Sequence, residues 1–272
     1  MTSVRPYAEV IGDPIAHSKS PLIHNFWLAE LGVAADYRAC HVLAEGLGDY
    51  VAARRDDPLW RGCNVTLPHK QAVLNLVDDP GGIRASIGAA NTLFRQGATI
   101  ACTNTDAAGF FAPIADAELA GAPVVVIGSG GAARAVLFAL AQVGAGPVTI
   151  VARNALKASA LLAHFGLKGQ ALMLDAPLPP AALLVNASSL GMKGQPPLDL
   201  DLAPLPDDAL VYDLVYAPLE TPLLAAARAR GLEAIDGLEM LVGQAAVAFE
   251  LFFGQAPPDD PDGRLRALLL AA

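Results

Sequence analysis

The sequence predicts an α/β protein of two domains, and three observations predict it. Short apolar runs alternate with helical stretches over residues 1–102. A second such series begins beyond residue 103, and its strands are rich in Val and Leu without alternating polarity, as strands buried on both faces require. One of these strands, Val124-Val125-Val126-Ile127, runs directly into a glycine turn and an apolar helix.

The elements follow in chain order. Strands are expected at 8–11, 37–42 and 63–66, and helical stretches at 21–31, 43–54 and 71–77. Ser20-Pro21 reads as an N-cap followed by proline at the first helical position; Ile23, Phe26, Trp27, Glu30 and Leu31 make that helix amphipathic, and Gly32 closes it. Residues 92–94 and 99–102, joined by Arg95-Gln96-Gly97-Ala98, read as a hairpin at the edge of the first unit. Beyond it, strands are expected at 124–127, 148–151, 183–186, 210–214 and 233–235. Residues 237–253 read as a helix stopped by Pro257-Pro258 and Asp259-Asp260, packing back on the first domain. The expected division is therefore 1–102 plus 237–272 around an inserted 103–236.

Composition narrows the function. The chain has 272 residues, 54% hydrophobic and 17% charged, which suits two ordinary cores and argues against disorder. A net charge of -9 leaves no broad basic surface for nucleic acid or an anionic membrane, so an anionic ligand must be held locally. Cys40, Cys63 and Cys102 form no C-x-x-C pair, which points to neither a disulfide framework nor a metal site and fits a reducing cytoplasm. Residues 1–7 lack the pattern of a secretory signal. Residues 135–152 carry no charge, but Gly144-Ala145-Gly146-Pro147 divides them into a helix and a strand.

The glycine turn reads Gly128-Ser129-Gly130-Gly131-Ala132-Ala133, a G-x-G-x-x-A pattern between strand and helix. Gly128 permits the tight turn, Gly130 lets backbone approach a pyrophosphate, and Ala133 lets helix and strand pack closely. This is the signature of a Rossmann-like, doubly wound parallel sheet that binds a dinucleotide; the plain alternative is a tight turn without a ligand. After the next strand comes Arg153, with no Asp or Glu anywhere in 148–167 and Lys157 nearby. A cation there pairs with a 2′-phosphate, so NADP is the expected cofactor, unless Arg153 is only a solvated loop cation.

Several blocks then carry a resemblance. Gly12-Asp13-Pro14-Ile15-Ala16-His17-Ser18-Lys19-Ser20-Pro21 and Gly62-Cys63-Asn64-Val65-Thr66-Leu67-Pro68-His69-Lys70 resemble the substrate motifs of the shikimate and quinate dehydrogenases. Gly88-Ala89-Ala90-Asn91-Thr92, Asn104-Thr105-Asp106, Asn186-Ala187-Ser188-Ser189-Leu190-Gly191-Met192, Asp213-Leu214-Val215-Tyr216 and the block from Gly237 to Gln244 are similar to that family's further blocks, in its order. The resemblance implies reversible, NADP-dependent reduction of 3-dehydroshikimate to shikimate on the route to aromatic amino acids, by a cytoplasmic monomer or homodimer with a small-molecule substrate.

It also implies roles. Ser18 and Ser20, two apart before a helix, would hold the substrate carboxylate with help from Tyr216; taken alone, Ser20 is a helix cap. Alcohol oxidation needs a group to take the hydroxyl proton as hydride leaves, and Lys70 and Asp106 are the expected pair. Asn64, Thr66, Asn91 and Gln244 offer neutral partners for ring hydroxyls. Asn186, Ser188, Leu214, Gly237 and Met240 would line the cofactor beside the glycine turn. His17, His24 and His69 are read as structural. Two departures stand out: Ala152-Arg153-Asn154 replaces the family's Asn-Arg-Thr, and Ala107 follows Asp106 where many members have Gly. The alternatives are a quinate-type relative with broader substrate or NAD use, and a dinucleotide-binding sensor without catalysis; the Ser-x-Ser pair and the retention of Lys70 and Asp106 favour the first reading.

Overall fold

A computed structural model of the chain describes residues 5–272. The chain divides into two compact units, Met1–Thr105 with Val242–Ala272, and Asp106–Leu241. The first begins with β1 (Tyr7–Gly12), α1 (Ser20–Glu30), β2 (Asp36–His41), α2 (Leu47–Arg55), β3 (Trp60–Val65), α3 (Ile83–Ser86), β4 (Thr92–Gln96) and β5 (Thr99–Thr103). Its sheet runs β2-β1-β3-β4-β5, with β1 parallel to both neighbours and β3, β4 and β5 antiparallel. Tyr7, Ile11, Val51, Trp60, Val65 and Leu93 belong to the core on one side of it. Glu9 is buried on β1, where Arg54 (2.8 Å), Arg38 (3.0 Å) and Tyr50 (2.8 Å) satisfy its carboxylate, as a buried charge requires.

The second unit holds α4 (Asp106–Phe111), β6 (Val124–Ile127), α5 (Gly131–Gln142), β7 (Val148–Val151), α6 (Ala155–His164), β8 (Gly169–Leu172), β9 (Leu183–Asn186), β10 (Leu210–Asp213), α7 (Pro222–Ala229) and β11 (Glu233–Ile235). Its sheet is wholly parallel, in the order β11-β10-β9-β6-β7-β8. One buried cluster contains Val124, Val126, Ala133, Val136, Leu137, Ile150, Val185 and Tyr212, and another contains Val125, Ile127, Val151, Leu184 and Val211. Successive residues of β6 thus enter different clusters, which is why that strand reads as continuously apolar. The chain then forms α8 (Gly237–Phe253) and α9 (Arg264–Ala271). Among the described residues no helix is long and apolar enough to cross a membrane.

Three expectations need correction, and one strand was not foreseen. Ser20 is not the cap of α1: Lys19 occupies that position already in helical geometry, with no side-chain cap bond, and the Ser20 amide donates to Ser18 Oγ at 3.3 Å. The helical stretch at 71–77 shrinks to a 3-10 turn, Ala72–Asn75, because Asp78 is drawn to β5 by bonds to Ile100 and Cys102. The stretch at 43–54 splits into a 3-10 turn, Ala44–Gly46, and α2. β8 was not expected: it is a half-exposed edge strand without an apolar run. The helix expected at 237–253 is α8 with the same bounds, and α9 follows as a separate helix.

Candidate functional site

In the first unit, the candidate residues sit at the ends of strands and the start of α1. Asn64 lies near the end of β3, and its cross-strand partner is Thr92. Their side chains meet, Asn64 Nδ2 donating to Thr92 Oγ1 at 3.2 Å. Thr92 donates in turn to Asn91 Oδ1 (3.0 Å), which also accepts the backbone N–H of Thr105 (2.7 Å). Asn91 Nδ2 donates to Thr105 Oγ1 (2.9 Å) and to Gln244 Oε1 (3.3 Å) on α8. Asn64, Asn91 and Gln244, far apart in sequence, thus form one buried polar network. Thr92, Thr105 and Tyr37, whose hydroxyl donates to Asn64 Oδ1 at 2.6 Å, join it without having been singled out from the sequence. The two threonines stand in motif blocks beside chosen residues, whereas nothing local marks Tyr37.

Lys70 is half-buried in the loop after β3, and its carbonyl accepts the Ala90 amide at 2.7 Å. Asp106 follows Thr105 directly. Two hydrogen bonds therefore tie the chain at Lys70 and the chain before Asp106 to the same pair, Ala90-Asn91. Thr66 is half-buried at the end of β3, and its amide donates to Ile11 O at 2.9 Å. Ser20 is buried at the first turn of α1, with Ser18 half-buried before it. That turn has no acidic residue; Ser18 Oγ takes the Ser20 amide, Lys19 O takes those of Leu22 and Ile23, and Pro21 has none, so what the turn offers an anion is its hydroxyls.

The histidines do other work. His69 is buried with Nε2 2.7 Å from Val42 O. His24 is fully buried without a hydrogen-bond partner among the described residues, and burial pushes its pKa down to about 3. His17 is exposed.

In the second unit, Gly128 has φ +110°, and a Cβ there would stand 2.9 Å from Ala187 O, so only glycine fits between β6 and β9. Around Gly130 a Cβ would meet nothing within 4 Å; the loop faces open space there. Ser129, Gly131 and Ala132 are half-buried around it, and Ala133 is fully buried against the sheet. The first turn of α5 has neither a side-chain cap nor an acid. Exposed amides, a positive helix end and an open approach suit a pyrophosphate. Arg153 is exposed after β7, while Asn154 caps α6 by accepting the Lys157 amide at 2.9 Å.

Asn186 and Ser188 turn inward. Asn186 Oδ1 accepts from the amide and hydroxyl of Ser188 (3.1 and 2.7 Å), and its Nδ2 donates to Leu190 O (3.0 Å) and Asp213 Oδ1 (2.8 Å). Their side chains build the loop after β9 and tie it to β10. Asp213 is fully buried; burial raises its pKa despite donation from Thr221, Val215 and Asn186. Leu214 donates its amide to Asn186 O, and Gly237 opens α8 against the Leu214 and Val215 carbonyls. Met240 is buried in the core cluster of this unit, and burial raises the phenol of half-buried Tyr216 above its ordinary value.

Residues 10–93 match the shikimate dehydrogenase substrate binding domain, and residues 237–261 the shikimate 5'-dehydrogenase C-terminal domain. The chain is 67% identical over 267 residues to shikimate dehydrogenase (NADP(+)) of Sphingopyxis alaskensis, covering 98% of this chain and 97% of the relative. Among solved structures, shikimate 5-dehydrogenase from Thermus thermophilus, in complex with NADP(H) and shikimate, is similar at TM-score 0.85 and 37% identity over 98% of this chain and 100% of the other. Quinate dehydrogenase from Corynebacterium glutamicum, in complex with NAD, is similar at TM-score 0.85 and 31% identity, over 98% and 99%.

Proposed function

The chain belongs to the shikimate dehydrogenase family, and on that premise we propose that it reduces 3-dehydroshikimate reversibly to shikimate with NADPH. One observation carries this reading: the buried network joining Asn64, Asn91 and Gln244, in the same unit as the Ser18 and Ser20 pair. Neutral amides suit the hydroxyls of a polyhydroxylated ring, and paired hydroxyls at a helix start suit its carboxylate. In this assignment Ser18 and Ser20, assisted by Tyr216, bind the carboxylate, and Asn64, Thr66, Asn91 and Gln244 bind ring hydroxyls. Lys70 and Asp106 handle the proton: one group takes it from the alcohol during oxidation and returns it to the forming alkoxide in reduction.

When bound, a nicotinamide cofactor would supply or accept the hydride. The 128–133 turn holds its pyrophosphate with backbone amides, and Arg153 pairs with the 2′-phosphate. Since Asn154 spends its side chain on α6, NADP selection rests chiefly on Arg153. Leu214, Gly237, Met240 and the backbone around Asn186 and Ser188 complete the cofactor surface. The unit holding β1 to β5 thus takes the acid, and the unit holding β6 to β11 the cofactor. The free cysteines and the net charge of -9 support a cytoplasmic enzyme that engages neither nucleic acid nor an anionic membrane; it works as a monomer or homodimer in this reading.

Steady-state assays with shikimate and quinate, each with NADP and NAD, test the reading. Shikimate with NADP is expected to give the highest kcat/KM. Preference for quinate would move the chain to the quinate-type reading, and tight NADPH binding without turnover of either acid would make it a sensor.

A further inference from the structure

Asn64 is only useful to a substrate hydroxyl if its amide faces a defined way, and the network dictates that way. The backbone N–H of Thr105 can only donate, so the Asn91 atom that meets it at 2.7 Å is the acceptor Oδ1. That oxygen cannot donate, so the Thr92 hydroxyl spends its single hydrogen on it at 3.0 Å. Thr92 Oγ1 must then accept from Asn64, which turns Nδ2 toward Thr92 and Oδ1 toward Tyr37. Tyr37 closes the chain by donating at 2.6 Å. One N–H of Asn64 remains for a ligand, so Asn64 meets a substrate oxygen as a donor.

Tyr37 is itself held on three sides. It lies on β2, paired with Ala8 of β1, while Asn64 pairs with β1 from the other side at Val10. Its backbone is clamped on the sheet edge by Asn25 of α1, which donates to Tyr37 O (2.7 Å) and accepts from Tyr37 N (3.0 Å). Its ring stacks on His24 of the same helix, centroids 3.9 Å apart and planes 3° apart. Burial holds the phenol well above its ordinary pKa, which keeps the hydroxyl protonated as a donor.

We propose that Tyr37 is a positioning residue for substrate recognition: its hydroxyl, held by Asn25 and His24 of α1, orients Asn64 so that the amide donates to a ring hydroxyl of the substrate. This rests on the reading of the chain as a shikimate dehydrogenase. The helix that begins with Ser20 therefore also governs recognition two strands away on the same face of the sheet, through Tyr37.

The test is a double-mutant cycle with Tyr37→Phe and Asn64→Ala, reading KM for shikimate, KM for NADP and kcat. Tyr37→Phe removes one oxygen and leaves Asn64 Oδ1 without its donor. KM for shikimate is expected to rise about ten-fold, with KM for NADP and kcat within about two-fold. In the Asn64→Ala background the same change should leave KM for shikimate where Asn64→Ala put it. Asn25→Ala, which releases the Tyr37 backbone without touching Thr92 or Asn91, should show the same signature and the same loss of effect beside Asn64→Ala, and it decides the matter if Tyr37→Phe lowers the yield of folded protein. An equal rise in KM in both backgrounds, or an unchanged KM in the single variant, overturns the proposal. Absent wild-type turnover of shikimate would remove the functional reading and this proposal together; with turnover present, the coupling alone decides.

Discussion

At the scale of single residues, the chain assigns similar side chains to opposite duties by burial and partners. Asn64 bonds to Thr92 and Tyr37 in a network of the first unit, whereas Asn186 is fully enclosed by Ser188, Leu190 and Asp213. Arg153 stands exposed with its neighbour Asn154 committed to a cap. Arg153→Ala should therefore raise KM for NADP by at least about ten-fold while moving KM for NAD little, since a charge-assisted pair to the 2′-phosphate is lost only with NADP. Equal effects on both cofactors would place Arg153 elsewhere.

His24 carries a pH prediction. Its pKa falls from 6.5 to about 3 on folding, so between those values the unfolded chain binds a proton that the native one refuses. Stability from this residue is complete above pH 6.5 and is lost as pH falls toward 3, by up to a few kcal/mol. His24→Phe keeps an aromatic plate against Tyr37 and removes the titration. Denaturant unfolding at several pH values should show the advantage of the variant growing as pH drops below 6.5; a difference independent of pH would mean that His24 is not neutral in the fold.

At the scale of elements, α8 is held to the first unit by close approach. Phe252 and Phe249 lie near His24 of α1 in an aromatic cluster, and a Cβ on Gly62 of β3 would overlap the Phe252 ring and the Leu93 carbonyl. Gly62→Ala should thus displace α8 and lower stability by about 1–3 kcal/mol, read from denaturant unfolding. An unchanged midpoint would show that the helix yields freely. The central parallel strands were legible because burial on both faces writes an unbroken apolar run, as in Val124–Ile127. β8 was not, because an edge strand of Gly-Gln-Ala-Leu draws its order from bonding to β7 rather than from its own residues. Ser20 was misread as a cap for a related reason: its type fits the role, but Lys19 already enters the helix in helical geometry. Most candidate site residues were visible because they stand in contiguous blocks, while Tyr37 reaches Asn64 only after β1 has been laid between their strands.

At the scale of the whole molecule, the proposed labour is divided between two units with separate cores. The side chains proposed to bind the acid, other than Tyr216, belong to Met1–Thr105 and Val242–Ala272, and the glycine turn to Asp106–Leu241. Hydrogen exchange reads this division directly: shikimate alone should slow exchange in residues 18–24 and 64–70, and NADP alone in 128–134. Protection by NADP confined to the first unit would reverse the assignment. The central claim is narrower and is tested by NADPH formation from shikimate and NADP in the wild type and in Lys70→Ala. The account predicts saturable turnover in the wild type and a kcat lower by about 10²- to 10⁴-fold in the variant, with KM for shikimate changed much less. No NADPH from the wild type, or a variant that turns over at the wild-type rate, would contradict it.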